Sequence, residues 1–362
     1  MQVSIETRVR RIQRWLRAAA VIRDPSTELG RRARLLLTAA TGLSEQNVDF
    51  GLHHAFEFDA PEPEIAAMCR STPLAARAHV VLSPSVFVAP LRAIAIGLCC
   101  SRQVLVKPSR RDPVMVDLLR EAAPGWFEVE SRLHLSRGDH VWAYGSDETL
   151  DAIQRDMPEG SYLHRHGTGF GLVVLDESID GRIGAVTAAV ASDVAAFDQR
   201  GCLSPRLVLI QGPTTLARRF VSSLADALAT VEIRLPRGAL NPQERAAIVR
   251  YRDTACFVGE VSAAGSGFVG LDLNDGPLII PPVGRVLHVV RTSRPAERVR
   301  EVARYVTTVA LECAPQLTAT IAALLPGARL CRPASMQRPP FDGPVDRRTE
   351  IATVIGETVV AI

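Results

Sequence analysis

One cysteine lies where a thiol could act as a nucleophile. Cys202 follows Gly201 and precedes a Ser-Pro pair, in the segment Phe-Asp-Gln-Arg-Gly-Cys-Leu-Ser-Pro of residues 197–205. A helical pattern ends before the cysteine and an apolar strand pattern begins after it, so we expect the thiol on a tight turn. A thiolate on such a turn can attack an acyl carbon, whereas most cysteines are buried and unreactive. By itself the segment leaves a structural role for Cys202 open as the alternative.

Two other segments, each at the end of a predicted strand, contain residues that could bind a nucleotide. Lys107 ends an apolar run and precedes Pro108 and Ser109, and a lysine at the carboxyl end of a parallel strand reaches the crevice where ligands bind. Gly145 and Ser146 link a strand pattern to a helix pattern, where main-chain N–H groups can approach a pyrophosphate. Neither segment is specific alone, because a strand-terminal lysine is often only solvated and Gly-Ser-Asp is a common helix cap.

The elements that would position these residues alternate along the chain. Strands are predicted at 79–82, 103–107, 140–144, 171–175, 207–211, 276–280 and 285–290, and helices at 90–100, 113–122, 148–155, 184–197, 215–230 and 295–311. Strand–helix alternation with polar turns after the strands predicts an α/β fold with open parallel sheets. The N-terminal part is mostly helical, and one amphipathic helix there carries several arginines. That pattern indicates a helix docked on the domain, with binding to a membrane surface as the alternative.

Composition narrows the class of protein. The 362 residues are 47% hydrophobic and 22% charged, which suits two globular domains. The net charge of +3 is made of mixed signs, so no nucleic-acid surface is expected. No stretch of 18 apolar residues and no signal-peptide pattern occurs, so we expect neither an integral membrane segment nor secretion. Seven cysteines without paired spacing predict reduced thiols and a cytoplasmic location.

Taken together, the segments resemble the aldehyde dehydrogenase superfamily, most closely the fatty acyl-CoA reductases that feed bacterial luciferase. In that superfamily a Lys-Pro-Ser strand end, a Gly-Ser turn, a Glu-Leu-Gly-Gly segment and the nucleophilic cysteine occur in this order. Residues 164–180 line up without a gap on the Glu-Leu-Gly-Gly segment and the strand and acidic turn after it. The Asp-Gln before Cys202, the Ser-Pro after it and the segment 107–113 are most similar to the acyl-CoA reductases. The resemblance covers roughly residues 75–350.

The resemblance implies a fold, an activity and a set of site residues. It implies two Rossmann-like open-sheet domains: an N-terminal helical segment on the cofactor domain (1–75), a nucleotide-binding domain (76–163), a catalytic domain (164–345) and a closing strand (346–362). The implied activity is reduction of an acyl-CoA or acyl-carrier-protein thioester to the aldehyde, through an acyl-enzyme on Cys202 and hydride from NAD(P)H. It places the cofactor against Lys107, Ser109, Arg110, Gly145 and Ser146, with no metal ion. A homo-oligomer and a partner enzyme that transfers the acyl group are also expected.

Three departures from the family pattern bear on the activity. His164 stands where aldehyde oxidisers carry the glutamate that activates water, and its loss favours reduction of a thioester over hydrolysis. A role for His164 as base, as orienting donor or as packing stays open. Val86 and Pro281 replace, respectively, an asparagine that donates to the oxyanion and a glutamate that holds the nicotinamide ribose. These losses leave an inactive, dehydrogenase-like interaction protein as an alternative.

Arg110 gives the one indication of cofactor preference. It lies three residues after Lys107, where strict NAD users of the superfamily often carry a glutamate that repels a 2′-phosphate. An arginine would attract that phosphate, so NADPH is favoured and NADH is the alternative. A cysteine thioesterase or acyltransferase is the rival from another class, but it leaves Lys107 and the Gly-Ser turn unexplained.

Overall fold

The chain forms two compact units, each built on one mostly parallel sheet. The computed structural model describes residues 4–348 and 353–354. Of these residues, the first unit comprises 4–41, 51–168, 340–348 and 353–354, and the second comprises 42–50 and 169–339.

The strands divide between the two units in chain order. In the first unit they are β1 (Arg77–Val81), β2 (Gln103–Lys107), β3 (Glu128–Val129), β4 (His140–Tyr144) and β5 (Tyr162–His166). In the second they are β6 (Phe170–Leu175), β7 (Pro205–Ile210), β8 (Glu260–Ala264), β9 (Gly267–Asp272), β10 (Val286–Arg291), β11 (Val306–Glu312) and β12 (Arg329–Cys331). A last short strand, β13 (Thr353–Val354), belongs to the first unit.

The α-helices follow the same division. Those of the first unit are α1 (Ile5–Arg23), α2 (Glu28–Thr41), α4 (Glu62–Ser71), α5 (Ala89–Cys100), α6 (Val114–Ala122) and α7 (Asp147–Arg155). Those of the second unit are α3 (Glu45–Phe50), α8 (Ile183–Ala195), α9 (Thr214–Arg234), α10 (Pro242–Val258), α11 (Pro295–Val302) and α12 (Pro315–Leu324). Short 3₁₀ segments occupy Glu177–Arg182, Ala196–Gln199 and Ala303–Tyr305, and a π-helical turn occupies Gly51–Ala55.

The first sheet has the strand order β13-β5-β4-β1-β2-β3, and β13 alone runs antiparallel to its neighbour. The order reverses direction at β1, and a ligand crevice forms at such a switch point, outside the carboxyl ends of the strands. Pairing of β5 with β4 keeps residues 164–168 in this unit, so the expected boundary after residue 163 falls inside β5. Of the expected closing strand, the described residues are 346–348 and β13.

The second sheet has the order β12-β11-β6-β7-β10-β9-β8, with β8 antiparallel to β9. Its central strands are mostly apolar because helices cover both faces. In β6, Val173 and Leu175 join the hydrophobic cluster on one face, while Leu172 and Val174 join the cluster on the other. The two parallel sheets with flanking helices confirm the expected α/β class.

The arginine-rich N-terminal helix is docked on the first unit. Its apolar face is buried at Ile12, Trp15 and Leu16. Arg8 donates to the carbonyl of Thr72 at the end of α4, and Arg11 donates to two carbonyls at the end of α5. These contacts satisfy main-chain carbonyls that a helix end leaves open. Among the described residues, no helix is long and apolar enough to cross a membrane.

Two predicted elements were wrong. The strand expected at 276–280 is not formed, and the strand in this region is β9, which ends before the turn-forming Asn-Asp-Gly of residues 274–276. The helix expected over 295–311 ends at Val302, and β11 follows after a short turn. The run Val-Thr-Thr-Val at the start of β11 explains the difference, because β-branched residues favour strands.

Candidate active site

Cys202 lies on a tight turn that leads into β7. The Ser204 N–H donates to the Gly201 carbonyl at 3.1 Å, which closes the turn around the cysteine. The Thr307 hydroxyl on β11 donates to the Cys202 carbonyl. Hydrogen bonds to main-chain carbonyls therefore hold the turn, and Cys202 itself is half-buried.

The backbone before the turn is strained. Phe197, Asp198 and Gln199 have φ angles of 52°, 50° and 62°, and all three side chains are buried. Positive φ is unfavourable for residues with a Cβ, and such conformations persist only where the surroundings hold them. Three in succession let the chain reverse sharply from α8 towards Cys202.

A buried ion pair holds the first part of this segment. The Asp198 carboxylate lies 2.8 Å from the Arg285 guanidinium, and both side chains are almost fully buried. Asp198 also accepts from the Gly238 N–H at 2.9 Å. Asn47 bridges the same region, since its amide donates to the Ala195 carbonyl and its oxygen accepts from the Phe197 N–H, both at 2.9 Å.

Gln199 holds the second part. Its amide nitrogen donates to the carbonyls of Pro205 and Val286, each at 2.8 Å, and its oxygen accepts from the Val286 N–H at 2.7 Å. The side chain thus completes the hydrogen bonding where β7 and β10 begin. The Asp-Gln pair before the cysteine therefore has a structural function, which is to fix the approach to Cys202.

The first unit has a cleft of about 600 Å³ at the carboxyl ends of its strands. Lys107 and Arg110 line it after β2, and Arg132 and His134 line it from the loop before β4. Asp156 is the acidic residue of the lining. The excess of cations suits an anionic ligand. Sequence reasoning placed Lys107 and Arg110 but missed Arg132 and His134, which belong to no recognisable motif.

The Gly-Ser turn lies beside this cleft rather than in its lining. Ser146 is the N-cap of α7, and its hydroxyl accepts from the Thr149 N–H. The Gly145 N–H donates to the His166 carbonyl at 3.2 Å. Thr149, in the first turn of α7, lines the cleft. The helix therefore connects the Gly-Ser turn to the cleft. Ser109 accepts from the Arg111 N–H at 3.1 Å and shapes the loop after β2.

His164 is buried in β5, inside the first unit. Its Nε2 lies 2.9 Å from Nδ1 of His140, and its ring stacks on Trp142 with 4.2 Å between centroids and 3° between planes. Burial, together with smaller electrostatic contributions from His140 and His166, lowers the pKa of His164 to about 3. The ring is therefore neutral at physiological pH.

The stack is part of a cross-strand ladder of rings between β4 and β5. The pairs His140–Tyr162 and Tyr144–His166 stack with centroids 4.3 and 4.4 Å apart, on either side of the Trp142–His164 pair. Alternation of rings at 140, 142, 144 and at 162, 164, 166 is visible in the sequence. The alternation alone does not predict the stack, because pairing of the two strands is needed to bring the rings together.

This ladder predicts loss of stability in mild acid. Burial lowers the pKa of His140 and His166 to about 4, and that of His164 to about 3. An unfolded histidine titrates near 6.5, so the unfolded chain takes up protons first, and the free energy of unfolding falls as pH drops from about 6.5 towards 4. Each histidine contributes up to about 1.4 kcal/mol per pH unit. Urea denaturation across this range should show a steeper fall for the wild type than for His164→Phe, and equal slopes would contradict the prediction.

The two other departures from the family pattern lie in separate units. Val86 precedes α5 in the first unit, and its carbonyl accepts from the Ala89 N–H at 3.1 Å. Pro281 precedes β10 in the second unit, and its carbonyl lies 3.4 Å from a guanidinium nitrogen of Arg206. Neither side chain can donate or accept a hydrogen bond.

Solved structures with this architecture are aldehyde dehydrogenases and related oxidoreductases. An oxidoreductase from Marinobacter aquaeolei superposes with a TM-score of 0.70 at 11% identity, covering 98% of this chain and 86% of that one. The γ-glutamyl-γ-aminobutyraldehyde dehydrogenase of Burkholderia cenocepacia gives 0.67 at 15% identity, covering 91% and 77%. The indole-3-acetaldehyde dehydrogenase of P. syringae, solved with NAD⁺, gives 0.66 at 15% identity, covering 90% and 76%. These likenesses confirm the expected fold.

The sequence itself identifies the family. No curated protein matches the chain at a significant level. The pattern of the acyl-CoA reductase (LuxC) family matches residues 130–344, which include His164, Cys202 and the segment that holds the cysteine turn. This match covers more than half of the chain and confirms the resemblance, and the protein therefore belongs to the acyl-CoA reductase (LuxC) family of aldehyde-forming oxidoreductases.

Proposed function

We propose that the protein reduces an acyl thioester of CoA or of an acyl carrier protein through an acyl-enzyme on Cys202, with NADPH as the preferred reductant. The observation that carries the proposal is the cysteine turn. Asp198 and Gln199 are fully buried, and their side chains form hydrogen bonds that hold the chain before Cys202 in place. Such rigid support is what a nucleophile needs for a reproducible attack geometry.

The residues of the turn support a two-stage reaction. The Cys202 thiolate attacks the thioester carbonyl carbon and forms the acyl-enzyme. The bond from that carbon to the sulfur of CoA or the carrier protein breaks, and the released thiolate takes up a proton. Exchange of one thioester for another is nearly isoenergetic, so the leaving thiolate needs no strong acid. A bound nicotinamide nucleotide supplies the hydride that reduces the acyl group. Collapse of the resulting thiohemiacetal then breaks its C–S bond, releases the aldehyde and restores the Cys202 thiolate.

The cleft of the first unit fits the nucleotide that this reaction needs. Lys107, Arg110 and Arg132 offer positive charge to phosphate and ribose groups, and Val81 and Leu133 offer apolar surface to a base. Ser109, Gly145 and Ser146 shape the loops beside it. His164, neutral and hydrogen-bonded to His140, provides no carboxylate that would activate water. A homo-oligomer, an acyl-transferring partner enzyme and a cytoplasmic location stay predictions.

The proposal is tested by mixing the protein with NADPH and a series of acyl-CoA substrates. Absorbance at 340 nm should fall, with one free CoA thiol and one aldehyde formed for each NADPH oxidised. Release of CoA without oxidation of NADPH would instead identify the thioesterase or acyltransferase alternative. Free acid as the main product would mean that the acyl-enzyme is hydrolysed. That result would contradict the expectation that a chain with His164 in place of the water-activating glutamate does not hydrolyse it.

The preference for NADPH predicts a specific effect of Arg110→Glu. Arg110 lines the cleft, where its guanidinium can form paired hydrogen bonds with a 2′-phosphate. Charge-assisted contacts of this kind contribute about 1.5–3 kcal/mol, so kcat/KM for NADPH should fall about ten- to a hundredfold, with little change for NADH. Arg111→Glu is the matched control, because Arg111 is exposed and lies outside the lining. An unchanged NADPH-to-NADH ratio in Arg110→Glu would leave Arg110 a surface residue.

A further inference from the structure

One wall of the cleft in the first unit is the loop segment 131–135 between β3 and β4, called the cleft segment below. Its residues Arg132 and His134 are exposed, and within the described part of the chain they form no hydrogen bond or ion pair. Their N–H groups are therefore available to an anionic ligand. The main chain of the segment also forms no hydrogen bond with any described residue. Its position thus depends on its two ends and on the packing of Leu133 and Leu135.

Both ends of the cleft segment meet one buried side chain, His79 in β1. Its Nδ1 lies at hydrogen-bond distance, 2.9 Å, from the carboxylate of Glu130, directly before the segment. Its Nε2 lies 3.3 Å from the carboxylate of Asp139, after the segment, although not in hydrogen-bonding geometry. Asp139 also accepts from the Ser136 N–H at 2.8 Å and pairs with Arg77 at 2.6 Å. One imidazole ring therefore connects both ends of the segment to an inner strand of the sheet.

Packing alone does not explain a histidine at position 79. The strand lies between β2 and β4, and the residues that follow, Val80 and Val81, are apolar and buried. Burial of a polar ring is unfavourable unless its nitrogens find partners, so an apolar side chain would fill this place at lower cost. What distinguishes histidine is a pair of ring nitrogens that can face two partners at once. Here those partners are the carboxylates that flank the cleft segment.

We infer that His79 is a positioning residue for the nucleotide. Through Glu130 and Asp139 it fixes the ends of the cleft segment, and it thereby holds Arg132 and His134 at the cleft. Donors that are held in place before binding lose less conformational entropy when a ligand arrives, which increases affinity. The inference rests on the proposed binding of NADPH in this cleft, and it explains how a segment without main-chain hydrogen bonds can present its donors in a defined geometry.

The first test is a fluorescence titration of the whole protein with NADPH. Glu130→Ala releases one end of the cleft segment, and the dissociation constant for NADPH should rise about three- to thirtyfold. Removal of a negative charge near a cationic cleft would by itself strengthen the binding of an anion, so the direction of the change separates position from charge. Glu128→Ala is the matched control, because Glu128 is exposed in the same short strand and forms no ion pair among the described residues. Its dissociation constant should stay the same or fall.

The second test replaces the histidine itself. His79→Phe keeps a ring without hydrogen-bonding atoms and should raise the dissociation constant for NADPH at least as much as Glu130→Ala does. His79→Asn keeps a donor near the position of Nδ1 and should recover part of the loss. His288→Phe is the control, since His288 is an equally buried histidine of the second unit, and it should leave NADPH binding unchanged. Alkylation of Cys202 by iodoacetamide, followed by mass spectrometry of its peptide, should keep its rate in His79→Phe, because the cysteine turn belongs to the second unit.

Equal dissociation constants in the wild type and in folded His79→Phe would overturn the inference, as would an equal rise in His288→Phe. If His79→Phe does not fold, the comparison of Glu130→Ala with Glu128→Ala decides. Glu130→Ala should also weaken binding less in an Arg132→Gln background than in the wild type, because both changes affect the same contact, and full additivity would count against the role of the segment. A wild type that binds no NADPH would refute the proposed function together with this inference. NADPH binding that depends on His79, without reduction of acyl-CoA, would refute the proposed function alone.

Discussion

Cys202→Ala is expected to lower turnover with acyl-CoA at least a hundredfold, a loss of about 2.7 kcal/mol of transition-state stabilisation or more. The reason is that alanine cannot form the acyl-enzyme on which both stages of the proposed reaction depend. The variant should fold normally, since hydrogen bonds of main-chain atoms and the Gln199 side chain shape the turn. Nicotinamide binding should also persist, because Lys107 and Arg110 lie in the first unit.

The measurement combines steady-state kinetics with trapping of the acyl-enzyme. Oxidation of NADPH is followed at 340 nm, and a protein quenched with acyl-CoA is analysed by mass spectrometry for the added acyl group. Cys256→Ala is the matched control, because Cys256 is exposed at the end of α10 and has no part in the turn. If Cys202→Ala keeps more than about one hundredth of wild-type turnover, another residue is the nucleophile.

Asp198→Asn is expected to destabilise the protein by about 3–5 kcal/mol, the range observed when one partner of a buried ion pair is removed. Asparagine keeps the size of the side chain and tolerates a positive φ, so the change removes the charge and one of the two accepting oxygens while keeping the shape. Arg285 would stay buried without its carboxylate. Because the ion pair also holds the strained segment before Cys202, turnover should fall together with the midpoint of unfolding.

Chemical denaturation of the wild type and the variants measures this effect. Asp180→Asn is the control, since the Asp180–Arg219 pair is exposed and such pairs contribute at most about 1 kcal/mol. The double variant Asp198→Asn, Arg285→Met should recover part of the loss, because it no longer buries an unpaired cation. Equal losses in Asp198→Asn and Asp180→Asn would show that the buried pair does not stabilise the fold.

Local patterns in the sequence were sufficient for the elements that carry the proposed site. The strands at β2 and β4 begin and end where their apolar runs do, and Cys202 lies on the turn that its Gly and Ser-Pro neighbours predict. The family resemblance supplied the fold and the order of the motifs. It also drew attention to the Asp-Gln pair before Cys202, but it did not show that these side chains hold the backbone.

The features that were missed depend on residues far apart in the chain. Asp198 and Arg285 are 87 residues apart, and nothing local marks either as half of a buried pair. The ring ladder required the register of β4 against β5.

The path of the chain limits how this protein could be divided or recombined. Residues 42–50 interrupt the first unit, between residues 41 and 51, yet they belong to the second. Within that short segment, Asn47 pairs with the main chain of Ala195 and Phe197. A fragment beginning at residue 169 would therefore leave two buried polar groups unpaired beside the strained approach to Cys202. Exchanging only the segment from residue 169 onwards would therefore remove the native partner of the main chain before Cys202, because Asn47 would come from a different protein.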